Sequence, residues 1–238
     1  MTPTRGKGII ALPTGTLTRY EQFWESLVGL RIMEYDAHCF SPGTNVCEGR
    51  NRVLRIMLAE PDIQWVLFLD DDHTFPRDTL ERLLAVTEPN DIVSGEPIQK
   101  VPPYGTIAFD FVTKDNKFTM RRLTFSELPT TGLVEVDAVG FGCVLVRRRV
   151  VEALSDPWFE FGHWASNQMQ EDVYFCYKAK QAGFRVFMDC GLVVGHITPV
   201  VIKRSKNGLG LELELGGNPR RSISFYDATL MEEHTLTQ

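Results

Sequence analysis

The chain lacks several features that would have placed it quickly. No apolar run among its 238 residues is long enough to span a bilayer, which excludes a helical membrane protein. Cysteine is scarce: Cys39, Cys47, Cys143, Cys176 and Cys190 are odd in number and widely spaced, and no pair has CxxC spacing. That pattern fits reduced thiols better than a disulfide framework or a cysteine zinc site. No signal-peptide pattern opens the chain, because Met1 to Lys7 leads straight into the strand-like Gly8-Ile9-Ile10-Ala11-Leu12. The expected address is therefore the cytoplasm. Positive charge is not in excess either. Lys and Arg total 25 against 31 Asp and Glu, a net charge of −6, which argues against a broad grip on nucleic acid. Basic clusters exist only locally, at Arg121-Arg122, Arg147-Arg148-Arg149, Lys203-Arg204-Lys206 and Arg220-Arg221.

What the chain does have is concentrated at Asp70-Asp71-Asp72, directly after the apolar run Trp65-Val66-Leu67-Phe68-Leu69. The run reads as a buried strand. Three carboxylates at its exit cannot all stay charged and close together without a counter-ion, and oxygen-rich sites suit Mg²⁺ or Mn²⁺. In α/β sheets ligands gather at the carboxyl ends of strands, where this cluster falls. A polar strand-to-helix turn with an Asp cap is the alternative.

The surrounding pattern alternates strand and helix. Gly8 to Leu12 predicts a strand, followed by a loop through Pro13-Thr14-Gly15. Thr18-Arg19-Tyr20-Glu21 forms a capping box before a helical stripe of Phe23, Trp24, Leu27, Val28 and Leu30. A second strand is predicted at residues 31–35. Asn45 caps a helix whose inner face is Val53, Leu54, Met57 and Leu58. After the Asp-bearing strand come a helix through Leu80, Leu83 and Leu84 and a short strand at Ile92-Val93-Ser94. This order predicts an α/β fold with a mostly parallel, doubly wound central sheet and helices on both faces. Residues 106–112, 117–123 and 133–136 predict a smaller antiparallel region in the second half. Glu171-Asp172 opens a further helix that Gly183 closes, and a strand is predicted over 184–188. Without repeats or low-complexity linkers, one domain over 1–238 is expected. Its first half would cover about 1–100, its second half about 101–200, and a loop and tail about 201–238.

Four features, in this order, resemble the GT-A fold of nucleotide-sugar glycosyltransferases, in particular the family-2-like members. They are Gly49-Arg50-Asn51 opening a helix, the DxD-like Phe68-Leu69-Asp70-Asp71-Asp72, the glycine segment Val136 to Arg148, and Glu171-Asp172 through Gly183-Phe184 to Gly195-His196. The resemblance spans about residues 9–196. It implies a single GT-A, Rossmann-like domain and a nucleoside-diphosphate sugar donor. Asp70 and Asp72 would frame Mn²⁺ or Mg²⁺, with Asp72 the direct ligand and Asp70 touching ribose or metal-bound water. His196 would be a further ligand, the alternative being a strand-end histidine bonded to a backbone carbonyl, and Asp71 a supporting group beside the donor. Asp172 would be the general base of an inverting transfer, and Glu171 would hold an acceptor hydroxyl. Both acids also suit a helix N-terminus without any catalytic role. Arg50 would meet diphosphate or a carboxylate, the alternative being a surface ion pair. Pro13 and Thr14 would receive the nucleotide base, and Asp36 the base or ribose. Lys203 and Arg204, with Lys206, would close over the diphosphate. The aromatic run from Phe159 to Trp164, with His163, would wall the acceptor site. The acceptor would be a glycan, protein or small-molecule hydroxyl, or a modified base in nucleic acid.

Two rival readings stay open from sequence. Asp70-Asp71-Asp72-His73-Thr74 also spells the DxDxT motif of haloacid-dehalogenase-like phosphatases, with Asp70 as nucleophile and Ser94 and Glu171-Asp172 in that family's later parts. That motif normally follows the first strand, whereas here some seventy residues precede it. A non-catalytic module that binds a sugar nucleotide or glycan is the other.

Overall fold

The run at residues 65–69 is a strand because it is apolar on both faces and covered on both. A computed structural model describes residues 6–14, 20–42, 45–87, 90–102, 104–114, 117–164, 167–204, 211–215 and 221–225. In chain order the first half holds β1 (Lys7–Thr14), α1 (Glu21–Gly29), β2 (Ala37–Pro42), α2 (Val46–Ala59), β3 (Ile63–Leu69), β4 (His73–Thr74), α3 (Thr79–Thr87) and β5 (Ile92–Glu96). Then follow β6 (Ala108–Lys114), β7 (Lys117–Arg122), a 3₁₀ turn (Phe125–Glu127), β8 (Leu133–Val136), β9 (Ala138–Val139), β10 (Cys143–Arg147) and α4 (Arg148–Ala153). The last part holds β11 (Gly162–Trp164), β12 (Asn167–Met169), α5 (Glu171–Gln181), β13 (Val186–Val193), β14 (Gly195–His196), β15 (Val200–Arg204), β16 (Leu211–Leu215) and β17 (Arg221–Phe225).

Seven strands form the central sheet in the order β2-β1-β3-β10-β5-β13-β8. β1 pairs in parallel with β2 and β3, and β13 with β5, while β10 and β8 run against their neighbours. Five strands therefore share one direction, and the α/β, mostly parallel sheet expected from the sequence is present. Successive residues of β3 alternate between two cores: Val66 and Phe68 face one, Trp65, Leu67 and Leu69 the other. The first is closed by α2, α4 and α5 through Val53, Leu54, Met57, Val150, Val151, Val173 and Cys176. The second is closed by α1 and α3 through Phe23, Leu27, Leu80, Leu83 and Leu84. A strand buried on both faces reads as a continuous apolar run, which is why β3 was so legible. Smaller antiparallel sheets (β7-β6-β9, β11-β12, β14-β4 and β15-β16-β17) lie outside this frame. Among the described residues no helix is long and apolar enough to cross a membrane.

Several local expectations hold and several are corrected. The Asn45 side chain accepts the Cys47 N–H at the start of α2, and Gly183 takes φ 89° just past α5. All five cysteines are free thiols, four of them buried. Pro13 and Thr14 continue β1 rather than forming a loop, because they pair with Ser41 and Pro42 of β2. In α1, Phe23, Leu27 and Leu30 are buried, but Trp24 and Val28 face outward. The capping box lies partly outside the described residues, which include neither Thr18 nor Arg19. Residues 133–136 do form a strand, but at the antiparallel edge of the central sheet.

The second strand is not at 31–35 but at Ala37–Pro42, and this relocates Asp36. Its carboxylate accepts the N–H groups of Gly8 (3.3 Å) and Met33 (2.9 Å), at the amino end of β1. That is about 20 Å along the strand from the carboxyl edge, so Asp36 closes a turn and cannot meet a nucleotide there. Replacing Asp36 by Ala leaves two backbone donors without their acceptor and should cost about 1–3 kcal/mol in urea unfolding. An unchanged midpoint would contradict that role.

Candidate active site

Arg50 enters the structure as a charge on a helix, yet it is 2% exposed. Its guanidinium lies 5.5 Å from the ring centres of both Phe141 and Phe159. One terminal nitrogen donates to Glu171 Oε1 at 2.9 Å, and the other to both oxygens of Asp70 at 3.1 Å. Burial works against its charge, but Asp70, Glu171 and Asp172 outweigh it and hold the guanidinium ionised. The next residue locks the same region. Asn51 donates to the Phe159 carbonyl and accepts the Phe159 N–H, both at 2.8 Å. The motif Gly49-Arg50-Asn51 thus ties α2 to the exit of β3, the start of α5 and the Phe159 segment. Arg50 meets carboxylates inside the protein, not on a helix surface.

The second cluster forms where the chain leaves β3. Asp71 and Asp72 turn into β4, which pairs with β14 so that His73 stands opposite His196, and Ile197 N–H bonds the Asp72 carbonyl at 2.8 Å. This small ladder joins His73 to a residue 123 positions away. Asp72 Oδ1 lies 2.9 Å from His73 Nδ1, and Oδ2 lies 3.2 Å from His196 Nε2. The Lys100 ammonium reaches the same Oδ2 at 2.5 Å. Burial alone would raise the Asp72 pKa, but His196, His73 and Lys100 together hold it far below the usual carboxylate range. The two imidazoles lie 4.0 Å apart. Gly142 makes room for them, since a Cβ there would stand 2.3 Å from His73 Nε2.

The donor set at this corner fits a divalent cation. His196 Nδ1 lies 2.7 Å from the Ile98 carbonyl, which can only accept, so Nδ1 carries the proton. A second proton on Nε2 would bridge the ring to Asp72 Oδ2; in a neutral ring the Nε2 lone pair faces that carboxylate oxygen. Two acceptors in that relation call for a proton or a cation between them. One ligand atom each from Asp72, His73 and His196 lies within 4.8 Å of the others. One carboxylate and two imidazoles make a mixed oxygen–nitrogen donor set of the kind that holds first-row divalent ions. Asp70 is turned to Arg50 instead. With both its oxygens on the guanidinium, it is poorly disposed to act as a phosphatase nucleophile.

Asp172 sits in the first turn of α5, next to Glu171. Its Oδ1 accepts the Val173 N–H at 2.7 Å. Burial, reinforced by the Glu171 carboxylate, pushes its pKa up to about 6 against the pull of Arg50. A carboxylate poised there can accept a proton near neutral pH.

The other expected residues are scattered. Pro13 and Thr14 end β1 at the carboxyl edge of the sheet, as Asp70 follows the end of β3. Lys203 and Arg204 end β15, their side chains outside the described residues, and Lys206 lies outside altogether. Phe159 is not an acceptor wall: it is 1% exposed and stacks on Phe175 at 4.5 Å, with Phe68 and Phe141 around it. Phe161 and His163 are exposed. The arginines of two clusters are engaged in structure, while the side chains of Arg220 and Arg221 lie outside the described residues. Arg148 donates to the Met57, Leu58, Glu60 and Ile63 carbonyls from the end of α2 to the start of β3, Arg149 pairs with Asp91, and Arg121 pairs with Asp110 and Glu127. Sequence reasoning missed His73 and Lys100. His73 follows the acidic cluster directly, but only the β4–β14 ladder makes it face His196.

No family model matches the sequence, and no curated protein does. Among solved structures, the chain is similar to A197 from STIV, with TM-score 0.56 and 18% identity over 97% of this chain and 99% of that one. It is also similar to GalNAc-T7, solved with UDP, GalNAc and Mn²⁺, with TM-score 0.54 and 12% identity over 81% of this chain. The chain spans 44% of the length of the GalNAc-T7 chain. At these identities the likeness is one of fold, and the fold is GT-A-like.

Two outcomes are expected from the geometry. Arg50→Met strands two carboxylates in the interior and should destabilise the protein by about 3–5 kcal/mol in chemical denaturation. Asp172→Asn should act in the opposite sense. Its folded pKa of about 6 lies above the unfolded value, so the folded state holds the proton more tightly. The stability this contributes is fully present below about pH 4 and is lost as pH rises through about 6. Asp172→Asn should therefore gain about 1–2 kcal/mol over the parent at pH 8 and little at pH 4. An equal gain at both pH values would rule out this linkage.

Proposed function

We propose that this protein is a metal-dependent glycosyltransferase that moves a sugar from a nucleoside diphosphate to an acceptor hydroxyl. The observation that carries the reading is the meeting of Asp72 and His196 beside the exit of β3, with the His196 ring oriented by the Ile98 carbonyl. The GalNAc-T7 structure, solved with UDP, GalNAc and Mn²⁺, supports the same donor class and metal here.

Asp72 and His196, with His73 beside them, would hold the cation, Mn²⁺ or Mg²⁺. When bound, it neutralises charge developing on the leaving diphosphate. Arg50 keeps Asp70, after β3, and Glu171, at the start of α5, fixed relative to each other. Asp70, oriented by both of its oxygens on Arg50, would meet the donor's ribose or water on the cation. Thr14 and Pro13, at the end of β1, lie toward the base.

Asp172 takes the acceptor's proton on Oδ2, since Oδ1 already accepts the Val173 N–H. The acceptor oxygen bonds the anomeric carbon as the bond to the diphosphate breaks, and the diphosphate leaves with that electron pair. Attack opposite the leaving group inverts the anomeric centre. Glu171, held by Arg50, borders the acceptor side.

Thermal stability measured against a panel of nucleotide sugars, each with and without Mn²⁺, tests this reading. A cognate donor at a hundred times its dissociation constant should add about 2.7 kcal/mol, roughly 5–10 °C in a chain of this size. The shift should need Mn²⁺ and vanish in Asp72→Ala. Asp172→Asn should keep the shift while its transfer rate falls about 10²–10⁴-fold. A donor-dependent shift without transfer to any acceptor would point to a binding module instead.

A further inference from the structure

Lys100 places a positive charge on the very oxygen that the reading above assigns to the cation. Its ammonium stands 2.5 Å from Asp72 Oδ2, the oxygen that faces His196 Nε2. The contact is built in from one side only. The Lys100 side chain is 47% exposed, whereas that of Asp72 is 21% exposed, so the lysine reaches inward from solvent. Its four-carbon stem can swing by several ångströms with no movement of the backbone.

The backbone that carries Lys100 is held in place. Ile107 N–H bonds the Pro97 carbonyl at 2.7 Å, Gln99 N–H bonds the Gly105 carbonyl at 2.8 Å, and Ile98 forms a bridge with Thr106. Ile98 in the same segment accepts the proton of His196 Nδ1. One short loop therefore orients one candidate metal ligand and neutralises another. With neutral imidazoles, the Asp72–Lys100 pair carries no net charge. A divalent cation added there leaves two positive charges in excess, in the absence of an anion. A nucleoside diphosphate supplies at least that much negative charge, and its oxygens are good acceptors for an ammonium.

We propose that Lys100 and the divalent cation compete for Asp72 Oδ2, and that the nucleoside diphosphate ends the competition by drawing the Lys100 ammonium onto its phosphate oxygens. Lys100 is then a donor-binding residue that couples the two ligands. This inference rests on the metal-dependent reading and adds a partner for the diphosphate. By linkage, the factor by which the diphosphate tightens the metal is the factor by which the metal tightens the diphosphate.

The test uses the full chain and reads binding directly. Free Mn²⁺ is followed by electron paramagnetic resonance in the parent protein, Lys100→Met, Lys100→Ala and Asp72→Asn. UDP, GDP, ADP, CDP and dTDP are then titrated calorimetrically at saturating Mn²⁺. Lys100→Met, which keeps the apolar stem, should bind Mn²⁺ alone about 3- to 10-fold more tightly and the diphosphate about 10-fold more weakly, lowering the coupling factor. Lys100→Ala should behave alike, which separates loss of charge from loss of packing. Mn²⁺ binding that disappears in Asp72→Asn but is unchanged or weaker in Lys100→Met would overturn the role of Lys100 and leave the metal site standing. No Mn²⁺ binding by the parent protein, with or without any diphosphate, would overturn both.

Discussion

The site depends on one buried guanidinium. Arg50 is nearly inaccessible, lies between two aromatic rings and spends its terminal nitrogens on carboxylates from two distant elements. A charge in that setting is tolerable only because Asp70 and Glu171 are there, and they are tolerable only because of it. The three fix the spacing between the end of β3 and the start of α5. Asn51 adds a paired hydrogen bond to the Phe159 backbone, so the aromatic cluster of Phe68, Phe141, Phe159 and Phe175 becomes the floor under the charges. The ordering of Asp70 and the placing of Asp172 follow from this.

The candidate metal corner is made differently. It contains no buried arginine but a two-residue ladder, β4 against β14, that brings His196 over the Asp72 turn. Its geometry relies on small features. Gly142 leaves space for the His73 ring, and the Ile98 carbonyl selects the tautomer of His196. Lys100 supplies the balancing charge. Each is a short-range constraint, yet together they join four segments of chain at one carboxylate. Arg50 and this corner meet in the acidic turn, where Asp70 belongs to one and Asp72 to the other.

Much of the scaffold could be read from residues alone. β3 and β10 are apolar on both faces, and α2 announces itself through Asn45 and its inner stripe. The strand at 37–42 was misplaced because β2 is an edge strand containing His38 and Ser41, which lacks a strong period. Its apolar-looking neighbour at 31–35 is a turn closed by Asp36. Phe159 looked like a sugar-stacking surface because an exposed Phe161 and the buried Phe159 are indistinguishable until the stacking on Phe175 is known. His73 and Lys100 carried no signal of their own, because nothing in a local pattern records which remote segment a residue faces.

By itself the sequence determined the strand–helix alternation, the acidic exit from β3 and the presence of carboxylates and a histidine in the order Asp70, Asp72, Asp172, His196. These follow from periodicity and residue type, which act over a few neighbours. The tertiary structure alone decided that Arg50 is an internal charge and that Asp70 and Asp72 serve different partners. It also decided that burial and Glu171 push the Asp172 pKa up to about 6 and that Lys100 occupies the carboxylate beside His196. Burial and charge proximity across the sheet set each of these, and both exist only once the chain has closed on itself.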